Sequence, residues 1–225
     1  MPRTADIPAP IAESEVRLGR YLSVHRHAGV DADHALLMHQ PVAAPAGDID
    51  HFCARHAARA VDVWRISEPA AAGFPGTIDR SVAVAHHIAQ SSALPVFLHG
   101  SSLAAPMTYR ALQASSFFNG AVLVIDALAA RDLTLSPAHG GVAAAVPLQH
   151  NTKPILYIVA EVERAVADTV ADEVLHATGG PVEVHREPIG IDQVTRDQWP
   201  AHSDIVLEWS VRQLSNHLIP AWRKK

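Results

Sequence analysis

Two adjacent serines, Ser101 and Ser102, stand where an apolar run over residues 94–98 passes through Gly100 into a helix-forming stretch over residues 103–115. A serine hydroxyl is a weak nucleophile. It attacks a carbonyl only when a base within hydrogen-bond reach takes its proton and a carboxylate orients that base. Bases are abundant here, with 15 histidines spread along 225 residues. The helix after the serines begins with N–H groups that lack intrahelical partners, and the N–H of Leu103 is well placed to hold the negative oxygen of a tetrahedral intermediate. Pro106 agrees with that start, because a missing N–H costs little in a first helical turn. The plainer reading of the same residues is a Ser-rich tight turn, or a small anion-binding loop, in any doubly wound fold.

Metal chemistry is less well served. His51, Cys53 and His56 are ligand types, but positions 51 and 56 do not share a helical face, and neither His-Glu-x-x-His nor paired Cys-x-x-Cys occurs. His25 and His27 project from one face if their segment is a strand, and two ligands alone make a weak site. Neither a GxxxxGK[ST] phosphate loop nor a GxGxxG turn is present, so a nucleotide cofactor is not expected. The expectation is no metal and no cofactor.

Such chemistry needs a framework. Val16, Leu18, Tyr21 and Val24 recur loosely, which suits an opening strand or hairpin. Residues 34–39 carry the short apolar run Ala-Leu-Leu-Met, stopped by Pro41, as a buried parallel strand does. Helical spacing follows over residues 49–60, with Asp48 as its cap, and then a strand over 60–66. Residues 67–77, rich in Pro, Ala and Gly, read as a loop, and a helix starts at Asp79 and runs to 89. Further strands are expected at 94–98, 121–125, 155–160 and 182–186, the last after the turn Gly179-Gly180-Pro181. Helices are expected at 103–115 and 162–178, and an irregular stretch fills 127–153. A final helix over 204–218 takes its apolar side from Ile205, Leu207, Trp209, Val211, Leu214 and Leu218. Strands alternating with helices predict an α/β fold, a mainly parallel sheet flanked by helices on both faces.

With no repeat, low-complexity tract or linker, residues 16–225 read as one domain and residues 1–15, rich in proline, as a mobile arm. Hydrophobic residues make up 48% and charged ones 18%, ordinary values for a globular chain. A formal charge of −5 gives no positive field for releasing counterions from phosphates, so no nucleic-acid partner is expected. No apolar stretch reaches the roughly 20 residues of a membrane span, and the N-terminus lacks the apolar core of a signal peptide. The lone Cys53 cannot form an internal bridge and fits a reducing, cytoplasmic setting.

The segment 94–114, LPVFLHGSSLAAPMTYRALQA, resembles the nucleophile elbow of the α/β-hydrolase superfamily, and the likeness extends over about residues 16–219. That motif wants small residues two before and two after the nucleophile, because the strand-to-helix turn is too sharp for larger ones. Gly100 and Ala104 meet the demand for Ser102 and not for Ser101. The resemblance implies an α/β-hydrolase-like fold with little or no cap domain, since residues 127–153, at the usual lid position, are few for a separate helical domain. Leu36-Leu37-Met38-His39-Gln40-Pro41 is similar to the family's strand that ends in His-Gly. Here Gln40 replaces the glycine and Pro41 has no N–H, so Gln40 or Val42 must give the second oxyanion donor from a shifted loop, or the hole is incomplete.

In the family the chain order is nucleophile, acid, histidine. The acid follows the seventh strand, which resembles residues 153–166 here and points to Glu163, with Glu161 two residues earlier. Asp126, after the preceding strand, is the alternative. The histidine belongs to the loop before the last helix, where His202 stands alone. His185, within a strand, reads as a packed core residue. His39 and His99 end strands near the site and, with Met107, are candidate pocket residues; Phe117, Phe118 and Trp199 are further wall candidates. The implied activity is hydrolysis of a small-molecule acyl substrate, a carboxylic ester or thioester, by Ser102, His202 and Glu163. A member of the fold that binds a small molecule or protein partner without catalysis is the competing reading. Trp209 and Trp222 make self-association, as a homo-oligomer, a further expectation.

Overall fold

The computed structural model describes residues 13–18, 22–39, 46–66, 74–101, 104–125, 151–160, 179–187 and 199–218. The chain opens with a hairpin, β1 (Glu13–Leu18) and β2 (Leu22–His27), paired antiparallel from Glu13↔His27 to Leu18↔Leu22. β1 thus starts inside the span read as an arm. β3 (His34–His39), α1 (Ala46–Ala57) and β4 (Val61–Ile66) follow, then α2 (Phe74–Ser91), β5 (Val96–Ser101), α3 (Ala104–Ala114) and β6 (Phe118–Ile125). β7 (Ile155–Ala160), β8 (Val182–Glu187) and the long helix α4 (Trp199–Leu218) complete the described elements.

The strands form one sheet in the order β1-β2-β4-β3-β5-β6-β7-β8. β2 runs antiparallel to both neighbours, and the pairs from β4 through β8 are parallel. The chain moves outward from β3 to β4 and then crosses back over β3 to reach β5. Right-handed crossovers of opposite direction put their helices on opposite faces, so α1 lies on one face and α2 and α3 on the other. The crevice of such a sheet opens at the carboxyl ends of the strands that flank the reversal, here β3 and β5. His39 pairs with Gly100 in that register, so the two strands end within one residue of each other.

Alternation along the strands feeds two cores. Ala35, Leu37, Leu98, Leu123 and Tyr157 pack toward α2 and α3 with Val84, Ile88, Tyr109 and Leu112. Leu36, Met38, Phe97, Val122 and Ile158 pack toward Ile49, Phe52 and Cys53 of α1 and Val206 and Trp209 of α4. The central strands are covered on both sides, which explains their unbroken apolar runs. Lys153 closes the end of α3, donating from Nζ to the carbonyls of Leu112 (2.7 Å) and Ser115. Last-turn carbonyls have no intrahelical donor, and a lysine supplies one together with a favourable charge.

Three helices begin earlier than expected. α1 starts at Ala46, two residues before the expected cap Asp48 and directly after Pro45 in the sequence. α2 starts at Phe74 with Pro75 in its first turn, inside the expected loop, and α4 at Trp199 with Pro200 in its first turn. A proline opens a helix as readily as it ends one, since its fixed φ suits the first turn. β5 and β8 also run further, to Ser101 and Glu187. The expected helix over 162–178 and the irregular stretch over 127–150 lie outside the described residues. On α4 the buried line is His202, Val206, Trp209 and Gln213, a helical spacing, while Val211 is 42% exposed and does not belong to the apolar side.

Candidate active site

Gly100 shows how the β5 to α3 passage is built. A Cβ there would lie 1.9 Å from Thr108 Oγ1, 2.7 Å from Thr108 Cβ and 2.9 Å from the Ala104 carbonyl oxygen. No side chain fits, because the first turns of α3 fold back directly onto the end of the strand. Thr108 is itself held: its hydroxyl donates to the Ala104 carbonyl at 2.9 Å, and Nδ1 of His39 lies 2.6 Å from the same oxygen. Nε2 of His39 lies 2.6 Å from Ser81 Oγ, so one buried imidazole ties β3 to α2 and α3. Burial holds the His39 imidazole down to about 4, so the neutral ring, with one nitrogen donating and one accepting, is the form these two hydroxyls meet. His39 therefore braces the sharp turn from the α2/α3 face and does not share the face of the sheet on which His99 and His202 meet. Ala104, the other small residue of the motif, is buried.

His99 precedes Gly100 and so points to the opposite face, toward α1 and α4. Its ring stands 5.2 Å from that of Phe52 and 5.7 Å from that of His202, with the two imidazole planes at 88°. The Nε2 atoms of His99 and His202 are 3.4 Å apart. On the other side of the His202 ring, Nδ1 lies 2.9 Å from Oε1 of Glu187, the last residue of β8. The imidazole is 1% and the carboxylate 12% exposed, so this pair is shielded from water. Packing aims the ring. His202 takes the first position of the buried line on α4, and α1 presents Ile49, Phe52, Cys53 and His56 on its own apolar face at matching spacing.

The neighbourhood is tied down further. His56 Nδ1 lies 3.0 Å from the Phe52 carbonyl and 3.1 Å from Ser203 Oγ, joining α1 to α4 one residue past His202. Arg55 reaches both oxygens of Asp204, at 2.9 and 3.0 Å, and Arg59 binds the same carboxylate. Burial raises the Asp204 carboxyl, but the two guanidinium groups outweigh it and leave it below its usual range. Burial takes His56 down to about 3, and burial with the neighbouring His202, His56 and His39 takes His99 well down. Among the described residues no group of three or more His, Cys, Asp or Glu is arranged to hold a metal ion.

His202 lies in the first turn of α4, not in the loop before it. His99 adjoins it. Met107 is half-buried on α3, Phe118 is core, Phe117 is 40% exposed, and His185 is half-buried on β8, not packed in the core. Ser102 and Leu103 fall between the last residue of β5 and the first of α3 and lie outside the described residues, as do Gln40, Glu163 and Asp126. Glu187 was not among the acids expected from the sequence. Its signal was there: a carboxylate at the end of a strand, in register with Ala160 of β7, one strand beyond the expected acid position.

No model of a known protein family matches the chain. No curated protein matches it either. Solved structures do. The esterase domain of a Rhodothermus marinus protein superposes with a TM-score of 0.65 at 14% identity, covering 89% of this chain and 98% of that one. A dienelactone hydrolase from Anabaena variabilis gives 0.65 at 12% identity, covering 89% and 96%. A Pyrococcus furiosus esterase gives 0.64 at 13% identity, covering 93% and 92%. The fold is the α/β-hydrolase fold, mainly parallel with helices on both faces.

Proposed function

We propose that this protein is a serine hydrolase of small carboxylic esters or thioesters, with Ser102 as nucleophile, His202 as base and Glu187 as the acid that orients it. Ser102 Oγ attacks the acyl carbon while Nε2 of His202 takes the hydroxyl proton. The N–H of Leu103 receives the oxyanion, with a second donor from the segment that follows β3, Gln40 first. His202 returns the proton to the departing alkoxide or thiolate, leaving an acyl-enzyme. Water then attacks by the same route in reverse, and the carboxylic acid leaves.

The observation that carries this reading is the buried His202, bonded at Nδ1 to Glu187 and meeting at Nε2 the histidine that stands three residues before Ser102. Three residues span about 10 Å at most, so the base stands near the end of the strand that leads to the serine. The contact between Gly100 and Thr108 supports a turn sharp enough to present that serine. A carboxylate bonded to Nδ1 selects the tautomer with its lone pair on Nε2, as a base for a hydroxyl must have it. Glu163 and Asp126 give way here to the acid that touches the ring.

A fluorophosphonate probe tests the proposal. Covalent labelling of the wild type that disappears in Ser102→Ala is the expected result. Equal labelling of both, or of neither, would refute an activated Ser102 and favour a fold member that binds a ligand without catalysis.

A further inference from the structure

The contact between His99 and His202 carries more than proximity. Each nitrogen of a five-membered imidazole lies about 1.1 Å from the ring centroid, so nitrogens 3.4 Å apart within rings 5.7 Å apart must face each other almost head-on. That is the line of an N–H···N hydrogen bond. A zinc ion about 2.0 Å from both nitrogens would make the lone pairs converge at an angle and draw the centroids to about 5.2 Å. The observed separation is the linear one.

Proton bookkeeping then has one solution. Glu187 accepts at Nδ1 of His202, so in the neutral ring that nitrogen carries the hydrogen and Nε2 carries a lone pair. Only His99 can supply the proton between the two Nε2 atoms. Its own Nδ1 is buried with no partner among the described residues, so a hydrogen there would be stranded. We propose that His99 is a positioning residue for the proposed hydrolysis: its Nε2–H donates to Nε2 of His202, selecting the basic tautomer and aiming its lone pair along the end of β5.

The groups facing His99 fit a one-proton donor. They are His202 from α4 and the ring of Phe52 and His56 from α1, while His39 acts on it only from the other face of the sheet. Burial keeps His99 neutral, so it orients the base without exchanging protons with it. At 3.4 Å the bond is long, and a serine hydroxyl at ordinary distance displaces it at small cost. The role is to hold the ring between turnovers and then yield.

This inference rests on the proposed function for its catalytic meaning, and two measurements separate them. In 15N-labelled protein a two-bond nitrogen–nitrogen coupling is expected between the Nε2 atoms of His99 and His202. Its absence from a well-resolved imidazole spectrum overturns the proposal, even when Ser102 is labelled by the probe. Coupling without labelling removes the hydrolase and leaves the hydrogen bond standing. For the kinetic role, His99→Phe keeps an aromatic ring but has no donor, and should lower kcat roughly tenfold with KM within about twofold. His99→Gln, which retains an N–H, should recover part of that loss. Unchanged or raised kcat in His99→Phe overturns the role. Should that variant fail to fold, the wild-type coupling and His99→Gln still decide it.

Discussion

Mild acid should unfold this protein through its buried imidazoles. In the unfolded chain each histidine titrates near 6.5, whereas burial holds His39 at about 4 and His56 at about 3, with His99 lowered in the same direction. Between those values the unfolded state binds protons that the folded state refuses. Stability is therefore complete above about pH 6.5 and falls as the pH drops through the window down to the folded values. At pH 5 an unfolded histidine is almost fully protonated and these folded ones are nearly all neutral. Linkage then removes about 2 kcal/mol for each of His39 and His56, and His99 adds to the loss. Against a total of about 5–15 kcal/mol, that is a large share. Asp204 does not add to this loss, since its guanidinium partners hold its carboxyl below its usual range.

The assay is urea unfolding followed by tryptophan fluorescence at pH 7.5, 6.5, 5.5 and 5.0. The slope between pH 6 and 5 is the quantity to read, because it counts protons whatever the absolute stability. Each buried neutral histidine contributes about 1.4 kcal/mol per pH unit. His39→Leu should lower stability at pH 7.5, where the bonds to Thr108 and Ser81 are lost, and flatten the slope by one proton. A transition midpoint that stays put from pH 7.5 to 5, or a His39→Leu variant with the full slope, refutes the account.

Other outcomes follow from single contacts. Glu187→Gln should cut kcat by roughly 10²–10⁴ while leaving the fold intact, since an amide no longer selects the Nδ1–H tautomer of His202; a mild effect in ester hydrolysis assays would remove Glu187 from the site. Gly100→Ala drives a methyl into Thr108 and the Ala104 carbonyl, and should cost at least about 3 kcal/mol or abolish soluble expression. Thr108→Ala in the same chain should give only partial recovery, because the backbone contact remains; a wild-type melting temperature in the single variant would contradict the geometry. Lys153→Met leaves the Leu112 and Ser115 carbonyls without their donor and should lower stability by about 1–2 kcal/mol in denaturant titrations. Asp204→Asn, by contrast, touches a half-exposed pair and should shift stability by no more than about 1 kcal/mol, an effect that shrinks further in high salt.

What the chain revealed before folding follows from which physical signals are local. Strands β3 and β7 were legible to the residue because a parallel strand covered on both faces must be apolar throughout, and residues 34–39 and 155–160 are bounded by polar residues or turn formers. The strand-turn-helix around Gly100 was legible because a steric demand, two small residues at fixed distance from Ser102, is written in five consecutive letters. Helix starts were harder. Pro75 and Pro200 look like loop residues in isolation, and only the apolar spacing further along shows that each opens a helix. That misreading carried a cost for the site, since it placed His202 in a loop when the first turn of α4 fixes it against α1.

The acid exposes a deeper limit. A triad acid is defined by which ring nitrogen it reaches, and that is a property of neighbouring strands, not of any one segment. Counting along the family pattern leads to Glu161 and Glu163, which follow β7 in the sequence and lie outside the described residues. Yet β8 lies in register beside β7 with Glu187 opposite Ala160, so a carboxylate at the end of β8 stands one strand away from the segment that counting picks out. That His202 meets the carboxylate of β8 depends on where α4 begins. Starting at Trp199, the helix sets His202 at the head of the line that continues through Val206 and Trp209, and burial of that line brings Nδ1 to Glu187. In the proposed site, the carboxylate that meets His202, and with it the donor proposed for His99 on the other side, follows from the packing of one helix face.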